Sequence, residues 1–319
     1  MIQFPSAADV ETFANNLIEL VEFRVLATDP IINMNLMELN EHLPSRVLFC
    51  TVMRDDEVFI PKGSFVFLPD DIIQVIGERN SISTFFKYLG RISHKAKNVT
   101  IIGGSRTSIY LTWLLEEMGL NVKIIELSKD RCLLLNDVLT ETLIIHGDGT
   151  DQEVLDNENI ESTDVIVALT DRDEENLISS LYAHQCGVPK VILKINRQNY
   201  FPIVQKLGLD SIISPKFITA TNILRFIRAL DNTQGTAVEK LYRILDNKAE
   251  VAEFTAKYSP DLTDIKLQDL NLRKDVLIAA ILRNKKIVIP SGNDVIKEHD
   301  KVIVVTKSGF LTDLIEILV

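Results

Sequence analysis

The chain has 319 residues, 46% apolar and 25% charged, enough to bury the cores of two or three globular domains. A formal net charge of −11 with no Lys/Arg-rich block excludes a nucleic-acid partner, which needs a basic field to displace counterions. No apolar run approaches the roughly 20 residues that span a bilayer, and no leader pattern opens the sequence. Cys50, Cys132 and Cys186 are too scattered for a bridge framework or a metal site, and they read as reduced thiols of a cytosolic protein.

In chain order, MIQFPS at 1–6 reads as the tail of a strand stopped by Pro5. Residues 7–20 have helical spacing, with Val10, Phe13, Ala14, Leu17 and Ile18 on one face. A strand is expected over 21–27, a short helix over 34–43 and a strand over 47–54. Segments 57–60 and 64–68 flank Pro61-Lys62-Gly63, 71–77 is a further apolar run, and 81–90 closes as a helix. Many short strands with Gly/Pro turns make residues 1–92 a small β-rich α+β module.

Polar SHKAKN at 93–98 reads as a linker, after which strands and helices alternate. Strands are predicted at 99–102, 122–126, 143–146, 165–169 and 191–195, with the clearest helices at 107–118 and 174–185. Strands this continuously apolar indicate a parallel sheet covered on both faces. A last short run at 211–213 precedes Ser214-Pro215, so this α/β domain is assigned to 93–215.

The chain then repeats itself. Residues 211–230 parallel 1–20, aligning Pro215 with Pro5. Glu253-Phe254 answers Glu22-Phe23, and VLIAAILR at 276–283 answers VLFCTVMR at 47–54. IVIP at 287–290 answers VFIP at 58–61, and Asp300 answers Asp71. A change of spacing around 233–248 reads as an insertion that adds a hairpin to the second copy. Residues 216–319 are therefore a second α+β module, and a further nucleotide domain is expected ahead of the first.

The chemistry centres on VTIIGGSRTS at 99–108, a strand running into a Gly pair and then a helix. In the dinucleotide fingerprint three glycines turn the chain, admit the pyrophosphate and pack helix on strand. Gly103 holds the first position, whereas Ser105 and Ser108 occupy the second and third. Glu126 ends the next strand roughly 20 residues on, where an acid meets ribose hydroxyls. Gly103, Gly104 and Ser105 would lie at a helix N-terminus that favours phosphate, and Arg106 would add a charged donor. The Ser105 hydroxyl either replaces a lost backbone contact or closes the site. Asp148, in HGDGT, either borders an adenine subsite or caps the following segment. Thr170 and Asp171 line the same edge, Asp173 and Glu174 are expected to cap the next helix, and Lys194 and Arg197 follow the fifth strand.

Together, IIGG, the acid-ended strand, GDGTD, the TDRDEEN run, KINRQNY and SIISP resemble the nucleotide-binding domain of the TrkA family. These are peripheral subunits of Trk-type bacterial potassium uptake systems, built from regulator-of-potassium-conductance (RCK, or KTN) domains. The whole chain resembles their tandem order, in which each nucleotide domain is followed by a TrkA-C module. The resemblance implies a Rossmann-like parallel sheet flanked by two α+β TrkA-C modules. It implies a regulatory subunit rather than an enzyme, with no catalytic or metal residues. NAD(H), or else ATP or ADP, would be held by Gly103, Gly104, Ser105, Arg106, Glu126, Asp148, Thr170 and Asp171. The implied partners are a TrkH- or TrkG-like membrane subunit and further copies of the chain, forming dimers that build a ring on the inner face of the cell membrane. The helix expected over 218–230 would bury Ile223, Leu224, Phe226, Ile227 and Leu230 between two copies, or else pack on its own domain. The alternatives are a nicotinamide-dependent oxidoreductase and a scaffold whose nucleotide site is inactive. The five scattered histidines and the small duplicated modules favour a sensor over a dehydrogenase.

Overall fold

The computed structural model describes residues 7–14, 16–91, 96–209, 211–231, 238–245, 248–307 and 311–319. Residues 1–6, and 93–95 of the predicted linker, lie outside these. The chain divides into two compact units. One comprises Met1–Ala8 and Ser93–Ile218, the other Asp9–Ile92 and Thr219–Val319.

The first small module contains β1 (Asp9–Phe13), β2 (Ile18–Arg24), α1 (Leu36–His42), β3 (Leu48–Arg54), β4 (Glu57–Phe59), β5 (Ile72–Glu78) and α2 (Arg79–Tyr88). Its antiparallel sheet runs β1-β2-β5-β3-β4. Asn35 and Glu38 form a reciprocal capping box that starts α1. The core is aromatic. Phe23, Phe49, Phe67 and Phe85 are fully buried, and Phe85 meets both Phe23 and Phe49 edge-on at 5.6 Å.

The helix expected over 7–20 is absent. Residues 9–24 form the β1–β2 hairpin, with Ala14 and Asn16 at φ 50° and 66° in its turn. The apolar residues that looked helical serve a strand pair whose partner is distant in sequence. Phe13 packs edge-on against Tyr242 at 4.6 Å, and the Ala14 N–H donates to Glu253 at 3.0 Å. Helical spacing in a short window cannot register such contacts.

The second unit in chain order is the α/β domain. It comprises β6 (Asn98–Ile102), α3 (Arg106–Glu117), β7 (Asn121–Glu126), α4 (Lys129–Val138), β8 (Leu143–His146), α5 (Gln152–Asn157), β9 (Val165–Ala168), α6 (Asp173–Gln185), β10 (Lys190–Lys194), α7 (Phe201–Lys206) and β11 (Ile212–Ile213). All its strand pairings are parallel, in the order β8-β7-β6-β9-β10-β11. That is the doubly wound dinucleotide-fold order, which reverses direction between β6 and β9. One core layer packs Leu115, Leu135 and Leu139 of the α3 and α4 side on the sheet, and another packs Leu155, Ala183 and Val204 on the opposite face.

Helix α8 (Pro215–Asp231) leads into β12 (Val238–Ile244), β13 (Ala249–Thr255), β14 (Val276–Arg283), β15 (Lys286–Val288) and β16 (Lys301–Thr306). This sheet runs β12-β13-β16-β14-β15, strand for strand the order of the first module. The register repeats too, since the Phe13–Ile18 pair recurs as Ile244–Ala249, and the bulge in β3 recurs in β14. The inferred insertion is corrected accordingly. Both modules carry the hairpin, β12–β13 being the counterpart of β1–β2, and α8 has no counterpart among residues 7–91. The two modules share one core, in which Phe13, Ile18, Cys50 and Ile76 cluster with Tyr242, Val251, Ala279 and Ile303. Ile218, Ile223 and Ile227 of α8 are exposed and Leu224 is half-buried, whereas the side chains of Phe226 and Leu230 lie outside the described residues.

Candidate functional site

The C-terminal ends of β6, β7 and β9 open on a cleft of about 480 Å³ at the point where the sheet order reverses. Gly103, Gly104, Ser105, Arg106, Glu126, Asp148, Thr170 and Asp171 all line it. Open α/β sheets bind ligands at such a switch point because the loops diverge there to opposite faces.

Two glycines make the turn possible. Gly103 sits at φ 93°, a left-handed conformation, and a Cβ there would stand 3.0 Å from the Thr170 backbone nitrogen. At Gly104 a Cβ would come within 2.4 Å of Leu135 and 3.0 Å of the Glu126 carboxylate. This closeness lets Glu126 Oε2 accept the Gly104 N–H at 2.6 Å, while Oε1 accepts the Ser128 N–H at 2.7 Å. A carboxylate offers about four acceptor sites, so two backbone donors orient Glu126 and leave it acceptor capacity.

The serines at the glycine positions have defined tasks. Ser105 is the N-cap of α3, and its Oγ accepts the Ser108 N–H at 3.2 Å. Ser108 is fully buried and its hydroxyl donates to the Gly103 carbonyl at 2.5 Å. Ser108 thus ties helix to turn where a glycine would rely on close packing. The first N–H groups of α3 have no partner within the helix. The exposed Arg106 beside them makes no described hydrogen bond or ion pair, although it lines the cleft.

Asp148 is not a helix cap. Asp151 caps α5, while Asp148 accepts the N–H and hydroxyl of Thr150 at 2.9 and 2.7 Å. Those two donors hold the Asp148 carboxyl below its ordinary pKa. The expected capping of α6 is likewise not found. Its N-cap is Arg172, and the buried Asp173 instead accepts from Asn196 and from the Arg197 N–H. Asp171 is paired with Lys194 at 3.0 Å, and Arg197 with Glu174 at 2.9 Å. Arg197 is not among the residues lining the cleft.

Two contributors escape the sequence reading. Arg131 of α4 lines the cleft and donates from Nε to the Gly104 carbonyl at 2.6 Å, bracing the loop. The only advance sign is the N-cap Ser128 three residues earlier, which puts Arg131 in the first turn of a helix beside the acid-ended strand. Asn176 is fully buried in α6. It accepts the Thr170 N–H at 2.8 Å and donates to the carbonyls of Thr170 and Lys194 at 3.0 and 2.9 Å.

Comparison with known proteins matches residues 99–215 to the TrkA-N domain and residues 20–90 and 251–318 to the TrkA-C domain. Trk system potassium uptake protein TrkA homolog 1 of Methanosarcina mazei is 31% identical, over 98% of this chain and 68% of its own length. Trk system potassium uptake protein TrkA of Halomonas elongata is 30% identical, over 95% of this chain and 66% of its own. The chain thus spans about two thirds of the length of these relatives. Among solved structures, the GsuK RCK domain superposes with a TM-score of 0.51 at 16% identity, covering 96% of this chain and 65% of that one. The GsuK channel bound to NAD gives 0.52 at 14% identity, covering 96% and 54%. These two share the fold. Two TrkA-C matches on either side of one TrkA-N match, and similarity over nearly all of this chain to Trk potassium uptake proteins, establish that the chain belongs to the TrkA family.

Proposed function

We propose that the chain is a nucleotide-sensing regulatory subunit of a Trk-type potassium uptake system, with NAD(H) as its ligand and ATP or ADP as the competing candidates. The observation that carries this reading is the convergence of the Gly103–Arg106 turn, Glu126, Asp148, Thr170 and Asp171 on one cleft at the sheet's switch point. A pyrophosphate fits the α3 N-terminus with Arg106, and Glu126 retains acceptor capacity for ribose hydroxyls, which also disfavours a 2′-phosphate. In this reading residues 1–92 and 216–319 are the two TrkA-C modules and 93–215 is the sensor.

Regulation requires that the nucleotide bind two shapes of the assembly with different affinity, since a ligand indifferent to shape shifts nothing. The membrane partner is a TrkH- or TrkG-like translocating subunit, and the assembly is a ring of homodimers on the inner face of the membrane. One observation supports contacts with other chains. Tyr110, Trp113 and Leu114 of α3, Met118 at its C-terminal cap, and Leu133, Leu134 and Val138 of α4 are exposed, as are three isoleucines of α8. No helix among the described residues is long and apolar enough to cross a membrane. Among the described residues, those lining the cleft include no histidine, lysine, cysteine or tyrosine.

Calorimetric titration with NADH, NAD, ATP and ADP tests the reading. Saturable binding that weakens in Arg106→Ala and Glu126→Ala is expected. Absence of binding by all four, or variants that bind like the parent, would overturn it, and robust NADH turnover with small carbonyl compounds would make the protein an oxidoreductase.

A further inference from the structure

Charge is unevenly divided between the two sides of the nucleotide cleft. Arg106 opens α3 after the central strand β6, and Arg131, bound to the same Gly104 as Glu126, lines the β7 side. Past the switch point, the segment from β9 into α6 contributes Asp171 and Glu175 to the lining and, among the described residues, no cation. Each of these two carboxylates has a basic partner, Lys194 at 3.0 Å from Asp171 and Arg172 at 2.9 Å from Glu175. Neither Lys194 nor Arg172 is among the residues lining the cleft. Both ion pairs therefore turn their negative member to the ligand.

The two helices that start at the cleft repeat the contrast. A helix N-terminus carries roughly half a positive charge and attracts anions. The first turn of α3 holds no acid, and Arg106 adds to its positive end. The first turn of α6 holds Asp173, Glu174 and Glu175, which offset that end. Asp173 is taken up by Asn196 and the Arg197 N–H, and Glu174 by Arg197, so Glu175 is the one of the three that lines the cleft. A phosphate is thus drawn to α3 and repelled from α6. The cleft suits a dipolar ligand, anionic at its middle and cationic at the β9 end.

A pyrophosphate at α3, with its adenosine ribose at Glu126, sends the other half of a dinucleotide across the switch point toward Asp171 and Glu175. That half is a pyridinium cation in oxidised NAD and a neutral dihydropyridine in NADH. We infer, on the reading that the cleft holds a nicotinamide dinucleotide, that Asp171 and Glu175 make it selective for the oxidised form. The two carboxylates attract the cationic ring, with their own cations held behind them. The protein then responds to the ratio of oxidised to reduced dinucleotide instead of their sum. The Asp171 side chain is 96% exposed and that of Glu175 32%, so water and salt screen the attraction and the preference is a few-fold one.

Calorimetric titration of the full chain with oxidised NAD and with NADH, at low and at high ionic strength, tests this. Oxidised NAD should bind at least about threefold tighter at low salt, and the ratio should fall toward one as the Debye length shortens. Asp171→Asn with Glu175→Gln should weaken oxidised NAD by about fivefold, the scale of one exposed charge pair. The same variant should tighten NADH, because Lys194 and Arg172 lose their partners and act on an anionic ligand. These opposite signs separate selection from a structural role, since a disturbed loop would weaken both forms. Equal affinity of the parent for the two forms, tighter NADH, a ratio indifferent to salt, or a double variant that loses both forms alike would overturn the inference and leave the nucleotide reading standing. Binding of neither form by the parent would overturn both.

Discussion

Replacing Asn176 by alanine removes one side chain and strands three backbone groups. In the native protein this amide accepts the Thr170 N–H at 2.8 Å and donates to the carbonyls of Thr170 and Lys194. It thereby clamps the loops after β9 and β10 to α6 at the rim of the cleft. A hydrogen bond contributes about 1 kcal/mol net, and each buried group left unpaired costs about 1–3 kcal/mol. Thr170 is only half-buried, so water re-satisfies part of the loss. The expected destabilisation of the α/β unit is about 2–4 kcal/mol. Asn176→Asp should be about as costly, because an ionised carboxylate keeps the bond from Thr170 N–H but sets negative charge against two carbonyls. Trp113, the one tryptophan of the chain, lies on α3 and reports on this unit during urea unfolding. A loss below about 0.5 kcal/mol for Asn176→Ala, within the range of an ordinary surface change, would refute the reasoning.

Gly103→Ala should destabilise the same unit by about 2–4 kcal/mol, combining left-handed strain with a Cβ pressed on the Thr170 backbone; unchanged urea stability would contradict this. Ser105→Ala should cost about 1 kcal/mol and Ser105→Gly only a few tenths, as for a helix N-cap, whereas equal losses would mean the hydroxyl acts elsewhere. The Asp148 pKa is depressed by its bonds from Thr150, so its contribution is complete above the unfolded value of ~3.9 and is lost as pH falls through the lower folded value. Asp148→Asn should therefore flatten the acid limb of a plot of urea midpoint against pH, and an unaltered limb would show that Asp148 carries no such linkage.

Legibility from sequence followed the locality of the interactions. The parallel sheet, its strands and the small sheets' repeated motifs were readable because each rests on a run of apolar residues or a turn of a few residues. The cleft's lining was readable for the same reason, since strand ends in an alternating β/α chain converge at one edge of the sheet. Failures came where a short segment serves a distant partner. Residues 7–20 looked helical, yet Phe13 and Ala14 are held by Tyr242 and Glu253 from the other end of the chain. Without that hairpin, β12–β13 reads as an insertion instead of its repeat.

The strands of the α/β domain, the doubled module and most of the residues at the cleft follow from the amino-acid sequence alone, because hydrophobic periodicity and glycine placement are encoded residue by residue. The hydrogen-bond partners of those residues do not. Ser105 became a helix cap, Glu126 a brace for the loop, Asp173 an anchor for Asn196 and Arg197, and Arg131 and Asn176 entered the site unannounced. Each of these outcomes depends on which donors and acceptors folding brings within about 3 Å, a distance that only the packed chain defines.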